Sequence, residues 1–341
     1  MTLFRGWFLT ILVFVVWKTG RSINLRPIVG ILTQPYGSEV GGEKVVEDGN
    51  RMVHNSYIAA SYVKWAESAG ARVVPLHFDA SDEELTDRFR SINGILFPGG
   101  GTSLKNDTSN RFFQAAQLLY RLAVDENKRN PWTFPVHGTC LGFQLLSVLA
   151  AEDESVLCEG CFEGTDGDPL PLEFTPAIHD SVLFRDMSPD LLRALSVENI
   201  TENSHSSGIE PSAFERNSKL AKLFTVLSVN EDVHGRTFVS TFESQRTYPF
   251  TGTQWHPEKA NFEFGKIGSL GYNAIPHTAD AVAVSQYVAN QFIANARLSN
   301  HTFPTVADEK AALIYNDVGK LTADPNGYFD QVYLYEGATT M

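Results

Sequence analysis

The chain has 341 residues, of which 43% are hydrophobic and 20% are charged. This balance excludes a disordered or fibrous protein, and the chain is long enough to bury a large core. Its 40 acidic residues outnumber 27 Lys and Arg, giving a net charge of −13 that argues against a nucleic-acid partner. Three cysteines are too few for a disulfide-rich scaffold.

The N-terminal residues have the pattern of a secretory signal peptide. Arg5 precedes an apolar run of 11 residues, Trp7–Trp17. A membrane-spanning helix needs about 20 apolar residues, whereas a signal peptide needs about 7–15 after a positively charged start. We therefore predict a signal peptide over residues 1–22, with an uncleaved anchor as the alternative. The predicted mature domain, residues 23–341, has 24 basic and 40 acidic residues and a net charge of −16, and no other apolar run in it approaches membrane-spanning length.

Three N-glycosylation sequons agree with a secretory route. They begin at Asn106, Asn199 and Asn300. A sequon arises easily by chance, so the three support a secretory route only in combination with the predicted signal peptide.

Short apolar strands alternate with amphipathic helices along the chain. Strands are predicted at 27–32, 72–76, 92–97, 134–137, 224–229, 237–242 and 249–255. Helices are predicted at 57–69, 109–128 and 278–297, with a short helix that Ser81 and Glu84 cap. Residues 34–50 are predicted to be a loop, and residues near 152–170 a disordered insertion. The alternation predicts one α/β domain with a mostly parallel central sheet and helices on both faces. Sites in such sheets lie outside the carboxyl ends of the strands.

The stretch Gly138-Thr139-Cys140-Leu141-Gly142 is typical of a nucleophile elbow, in which a tight turn joins a strand to a helix. Cys140 then lies at a helix N-terminus, where the helix dipole favours the thiolate. The backbone N–H of Leu141 can help to stabilise an oxyanion. The alternative is a buried structural cysteine among packing glycines.

A base and further oxyanion donors follow two other predicted strands. His256 can take and return a proton, and Glu258 can fix its tautomer. The glycine run after Pro98 includes Gly100, whose free backbone N–H can complete an oxyanion hole. Alone, this glycine run would more often be a simple turn.

These motifs carry a family resemblance. The stretches FPGGG, GTCLGFQ and TGTQWHPEK resemble the class I glutamine amidotransferases, and SYIAASYVKWAESAGARVVP and QWHPEKANFEF resemble the γ-glutamyl hydrolases more narrowly. The resemblance extends from about residue 26 to the C-terminus and implies a flavodoxin-like, three-layer architecture. It also implies hydrolysis of γ-glutamyl bonds in folylpoly-γ-glutamates through a thioester on Cys140, with His256 as base, Glu258 as third member and no metal or organic cofactor. Members of the family are secreted to the extracellular space or are lysosomal or vacuolar.

Several positions depart from the family pattern. His137 stands where the family usually has an aromatic residue, and Gln144 where it usually has an acid. The substrate-side histidine of the family corresponds to His205, but the Lys and Trp that follow it are Ser206 and Ser207 here. These differences bear on the shape of the pocket and not on the triad. His137 is either a packing residue or one that tunes Cys140, and the alternative for His205 is a surface histidine in a polar loop.

Cys158 and Cys161 lie in an acidic insertion, Glu152–Asp168. No second cysteine pair completes a zinc site, so we predict a peripheral disulfide without a catalytic role, with two free thiols as the alternative.

Two other functions compete with a γ-glutamyl hydrolase. One is a glutamine amidotransferase or glutaminase, although the chain has no fused synthase domain to receive ammonia. The other is a non-catalytic binding protein on the same fold, which the combination of Cys140, His256 and Glu258 argues against. A homodimer is left open by the sequence, as is the choice between endo- and exo-cleavage.

Overall fold

The structure is a computed structural model that describes residues 23–36, 54–163, 166–244, 248–264, 275–322 and 329–336. The predicted signal peptide and most of the predicted loop at 34–50 lie outside the described residues. No helix within the described residues is long and apolar enough to cross a membrane.

The described residues form short strands and ten α-helices that alternate along the first half of the chain. The strands are β1 (Ile28–Leu32), β2 (Gln34–Pro35), β3 (His54–Ala59), β4 (Arg72–Leu76), β5 (Gly94–Phe97), β6 (Val136–Thr139), β7 (Leu157–Cys158), β8 (Asp166–Leu170), β9 (Glu173–Phe174), β10 (Thr201–Ser204), β11 (Gly208–Ile209), β12 (Phe224–Glu231), β13 (Thr237–Ser244), β14 (Phe250–Thr253), β15 (Lys320–Leu321) and β16 (Gln331–Glu336). The helices are α1 (Ala60–Ser68), α2 (Asp82–Phe89), α3 (Arg111–Arg129), α4 (Leu141–Ala151), α5 (Pro189–Val197), α6 (Pro211–Arg216), α7 (Ser218–Leu223), α8 (Lys259–Phe262), α9 (Ala279–Ala296) and α10 (Val306–Ala312).

An eight-stranded sheet in the order β4-β1-β5-β6-β14-β13-β12-β9 forms the centre of the domain. The strands from β4 to β14 are parallel, and β13, β12 and β9 continue the sheet antiparallel. Every residue of β1 and β5 is buried, as expected for strands covered on both faces. The mostly parallel sheet of the prediction is confirmed.

Helices cover both faces of this sheet and bury two hydrophobic clusters. Residues of α2, α3 and α4 pack on one face, and residues of α1, α5 and α9 pack on the other. This arrangement confirms the predicted three-layer α/β architecture. Ser81 caps α2 by accepting a hydrogen bond from the backbone N–H of Glu84.

The predictions for two segments were wrong. The helix predicted from residue 57 begins at Ala60, because residues 57–59 belong to β3 and pair with β16 across more than 270 residues of chain. The insertion near 152–170 is not disordered where the structure describes it, because β7 pairs with β11 and β8 pairs with β10. Both errors concern strands whose partners are distant in sequence and therefore invisible to local patterns.

Strands β5, β6 and β14 are neighbours in the sheet, and this order determines the position of the candidate active site. The carboxyl ends of parallel strands meet at one edge of a sheet. The glycine run after β5, Cys140 after β6 and His256 after β14 are therefore brought together.

Candidate active site

Cys140 lies on a sharp turn between β6 and α4, with φ 52° and ψ −108°. Its backbone N–H donates to the carbonyl oxygen of Thr253 at 2.8 Å, which ties the turn to the end of β14. The two flanking glycines are required by close approach of backbone: a Cβ on Gly138 would lie 2.4 Å from Gly142 O, and one on Gly142 would lie 1.9 Å from Phe97 O. This geometry confirms the predicted strand–turn–helix elbow.

The Cys140 thiol is almost completely buried, with 5% of the residue exposed. Its Sγ donates to the carbonyl oxygen of Ser204 at 3.7 Å. Burial raises the pKa of Cys140 to about 12, although Lys259 and the backbone N–H of Leu141 oppose this rise. The site therefore favours a neutral thiol, because desolvation outweighs the effects of Lys259 and Leu141. The direction of this shift is opposite to the lowered pKa that the sequence predicted.

His256 and Glu258 form a buried pair directly after β14. His256 Nδ1 lies 2.7 Å from Glu258 Oε1, so we assign the Nδ1 proton to this hydrogen bond. Nε2 is then the basic nitrogen, and it has no hydrogen-bond partner among the described residues. Burial lowers the pKa of His256 to about 3 and raises the pKa of Glu258 to about 7. A neutral imidazole with a free lone pair is the form suited to accept the thiol proton.

Sequence reasoning missed a buried ion pair beside this dyad. Lys259 Nζ lies 3.1 Å from Glu202 Oε1, and both side chains are at least 98% buried. The backbone N–H of His256 donates to Glu202 O at 2.9 Å, so the pair also fixes the base. The position of Lys259 directly after His256-Pro257-Glu258 was an available signal, but nothing near Glu202 marked it as its partner.

The glycine run after β5 forms one wall of the site. Gln34 holds it: Gln34 Nε2 donates to Pro98 O at 3.4 Å, and Thr102 Oγ1 donates to Gln34 Oε1 at 2.9 Å. Gly100 and Leu141 both line the cleft that contains Cys140. Their assignment as oxyanion donors stays a prediction.

His205 is buried, so the alternative of a surface histidine was wrong. Its ring lies against Phe162 and Phe238. Nδ1 lies 3.0 Å from Ser207 O, and Nε2 lies 3.3 Å from Asn203 Oδ1. Burial, with a smaller effect from His256, lowers the pKa of His205 to about 3, so the ring is neutral in the cleft wall.

The two departures at His137 and Gln144 have structural explanations. His137 packs against both Trp65 and Phe292, and its Nδ1 lies 2.8 Å from Thr251 Oγ1. It is therefore a packing residue of the core. Gln144 Nε2 donates to Ser207 O at 2.8 Å and thereby supports the segment that carries His205.

Cys158 and Cys161 form the predicted disulfide, and its loop borders the cleft. Glu159, inside the disulfide loop, and Phe162, next to it, line the same cleft as Cys140. The backbone N–H of Gly160 donates to Ser207 Oγ at 2.9 Å, which joins the disulfide loop to the His205 segment.

These walls enclose a cleft of about 520 Å³. Its lining includes Gly100, Cys140, Leu141, His205, His256 and Lys259. The described residues contain no group of three His, Cys, Asp or Glu side chains that could hold a metal ion. Asn106, Asn199 and Asn300 are exposed on the surface.

The fold and the site together define a cysteine hydrolase on a three-layer α/β domain. The peptidase C26 family matches residues 27–151. The chain is 40% identical to the gamma-glutamyl hydrolase of Mus musculus over 91% of this chain and 90% of the relative. It is 38% identical to the gamma-glutamyl hydrolase of Homo sapiens over 91% of this chain and 90% of the relative. It is 35% identical to gamma-glutamyl hydrolase 1 of Arabidopsis thaliana over 92% of this chain and 84% of the relative. The chain belongs to the gamma-glutamyl hydrolase family.

Proposed function

We propose that the cleft hydrolyses γ-glutamyl bonds of folylpoly-γ-glutamates, with Cys140 as the nucleophile. The observation that carries the proposal is the meeting of Cys140, the His256–Glu258 pair and the glycine run at the ends of β6, β14 and β5. Membership of the gamma-glutamyl hydrolase family supports the choice of bond.

The first half of the reaction forms a thioester. The Cys140 thiol gives its proton to His256 Nε2 as Sγ attacks the γ-carbonyl carbon, because burial raises the pKa of the thiol and favours its neutral form before attack. The carbonyl oxygen becomes an oxyanion that accepts hydrogen bonds from the backbone N–H groups of Leu141 and Gly100. When the C–N bond breaks, His256 returns the proton to the leaving amine.

The second half releases the glutamyl product. Water attacks the thioester carbon while His256 Nε2 takes one of its protons, and the C–S bond breaks. The proton then returns to sulfur. Glu258 stabilises the imidazolium that exists in both halves by accepting the Nδ1–H hydrogen bond.

We also propose that the protein reaches its substrate through the secretory route, in the extracellular space, a lysosome or a vacuole. The N-terminal pattern and the three exposed sequon asparagines support this localisation. The disulfide between Cys158 and Cys161 agrees with an oxidising compartment.

The direct test incubates the purified chain with a pteroylpentaglutamate and follows the products by mass spectrometry. Shortened folates and released glutamates are expected from the wild type and not from Cys140→Ala. Release of ammonia from free glutamine, without cleavage of the pentaglutamate, would favour the glutaminase alternative. Pentaglutamate binding without any cleavage would favour a binding protein.

A further inference from the structure

Tyr62 occupies a position between the glycine run and the catalytic pair that the mechanism above does not use. It lies in the first turn of α1, and only 1% of the residue is exposed. The backbone N–H of Gly99 donates to its hydroxyl at 2.8 Å. The same hydroxyl lies 3.4 Å from His256 Nδ1.

The hydroxyl also lies near enough to the carboxyl group of Glu258 to influence its ionisation. Burial raises the pKa of Glu258, and Lys259 and the Tyr62 hydroxyl oppose this rise. Burial and the charge of Glu258 raise the pKa of Tyr62 well above its ordinary value, so the hydroxyl stays protonated. Because the Gly99 N–H occupies an oxygen lone pair, the hydroxyl proton remains available for Glu258.

The packing around Gly99 shows how closely these groups are held. A Cβ on Gly99 would lie 2.6 Å from the Tyr62 hydroxyl oxygen, 2.9 Å from His256 Cε1 and 3.4 Å from Cys140 Cβ. Gly99 therefore lies against Tyr62, the base and the nucleophile, and the Tyr62 hydroxyl accepts the hydrogen bond of its backbone N–H.

We propose that Tyr62 is a positioning residue that couples the oxyanion loop to the His256–Glu258 pair through its hydroxyl. It fixes the Gly99 backbone on one side and orients the Glu258 carboxylate, and through it the His256 ring, on the other. This inference rests on the proposed hydrolase function.

The ionisable groups around the hydroxyl determine the expected pH effect. Glu258, His256 and Cys140 face it directly, and the Lys259–Glu202 ion pair lies beside Glu258. Of these groups, Glu258 is the one whose ionised form the hydroxyl stabilises. Removing the hydroxyl should raise the pKa of Glu258 further and move the acid limb of kcat/KM to higher pH.

The test compares Tyr62→Phe with Tyr287→Phe on the same pentaglutamate. Tyr287 is a matched control because its hydroxyl also donates a hydrogen bond, at 2.9 Å to Leu183 O, but away from the cleft. For Tyr62→Phe we expect kcat to fall about 10- to 100-fold, as for a displaced catalytic group. KM should change little, and the acid limb should rise by about one pH unit. Tyr287→Phe should change neither kcat nor the pH profile.

Two outcomes overturn the inference while leaving the proposed function intact. One is an active wild type in which Tyr62→Phe behaves like Tyr287→Phe. The other is a loss of kcat in Tyr62→Phe without any movement of the acid limb. A wild type that cleaves no γ-glutamyl bond would instead overturn the proposed function.

A second variant keeps the inference testable if Tyr62→Phe does not fold. Site-specific 3-fluorotyrosine at position 62 retains the hydroxyl and makes it a stronger donor. It should stabilise ionised Glu258 and move the acid limb to lower pH, opposite to the effect of Phe. An unchanged limb, or a shift to higher pH, would contradict the inference.

Discussion

At the scale of single residues, burial decides the ionisation of the catalytic groups. Desolvation disfavours every charged form, so it raises the pKa of Cys140 and lowers that of His256. Both shifts therefore favour a neutral thiol and a neutral imidazole over a thiolate–imidazolium pair. Proton transfer then has to accompany attack on the carbonyl, which makes the positions of His256 and Glu258 as important as their basicity.

The resting ionisation predicts how the free enzyme reacts with iodoacetamide. Since a neutral thiol must lose its proton before alkylation, the rate at Cys140 should climb with pH from 6 to 9 without a plateau. Peptide mass spectrometry of time courses would measure this rate, with Cys140→Ala as the control for other sites. A rate that is high and constant over this range would indicate a thiolate–imidazolium pair instead.

The backbone at Cys140 predicts a difference between two inactive variants. A φ of 52° is uncommon for a residue with a Cβ, and such strain at functional sites costs about 1–3 kcal/mol. Cys140→Gly should therefore be more stable than Cys140→Ala by about 1 kcal/mol, since glycine adopts this region without a Cβ penalty but loses more entropy on folding.

Urea unfolding followed by circular dichroism would measure both free energies of unfolding. Hydrolysis should be absent in both variants. If Cys140→Ala proved the more stable of the two, the elbow would not be a strained element.

At the scale of secondary-structure elements, one wall of the cleft consists of two short segments that hydrogen-bond to each other: the segment from β7 to Phe162 and the segment from His205 to β11. β7 pairs with β11, and the backbone N–H of Phe162 donates to Ser206 O at 3.0 Å. The Cys158–Cys161 disulfide closes the loop between β7 and Phe162, and Arg236 donates to both Cys158 Sγ and Cys161 O. The disulfide thus supports the wall that carries His205, although the catalytic groups lie on other elements.

Opening the disulfide should therefore affect substrate binding more than chemistry. The double variant Cys158→Ser/Cys161→Ser should raise KM for a pentaglutamate and leave kcat nearly unchanged. Because the closed loop is short, the free energy of unfolding should fall by only about 2 kcal/mol. Steady-state kinetics and thermal unfolding would measure the two effects.

Treatment of the wild type with dithiothreitol should reproduce the double variant, and the variant itself should not respond to it. A fall in kcat with an unchanged KM would show that this wall acts on the chemical step.

At the scale of the whole molecule, local patterns predicted the sheet and the triad but not the groups that support them. Cys140 and His256 each follow a strand within a short motif, so local sequence patterns were enough to find them. The Lys259–Glu202 pair and the contact of Tyr62 with Gly99 join residues that are 57 and 37 positions apart. Only the packed order of the strands brings them together.

Net charge is the other property of the whole molecule, and it bears on encounter with substrate. Residues 23–341 carry 24 basic and 40 acidic side chains, and a pentaglutamate is a polyanion. Long-range repulsion should therefore slow association, most strongly at low ionic strength. At the cleft itself, the ammonium of Lys259 is already paired with Glu202, and Glu159 adds a carboxylate to the lining.

Added salt should consequently raise kcat/KM on a pentaglutamate near neutral pH, and it should do so less on a diglutamate, because the shorter substrate has fewer charges to screen. The measurement is kcat/KM for both substrates from 10 mM to 300 mM NaCl, where the Debye length falls from about 30 Å to below 8 Å. The diglutamate is the internal control for effects of salt on the enzyme itself. A decrease of kcat/KM with salt, larger for the pentaglutamate, would show that local positive potential at the cleft outweighs the net negative charge.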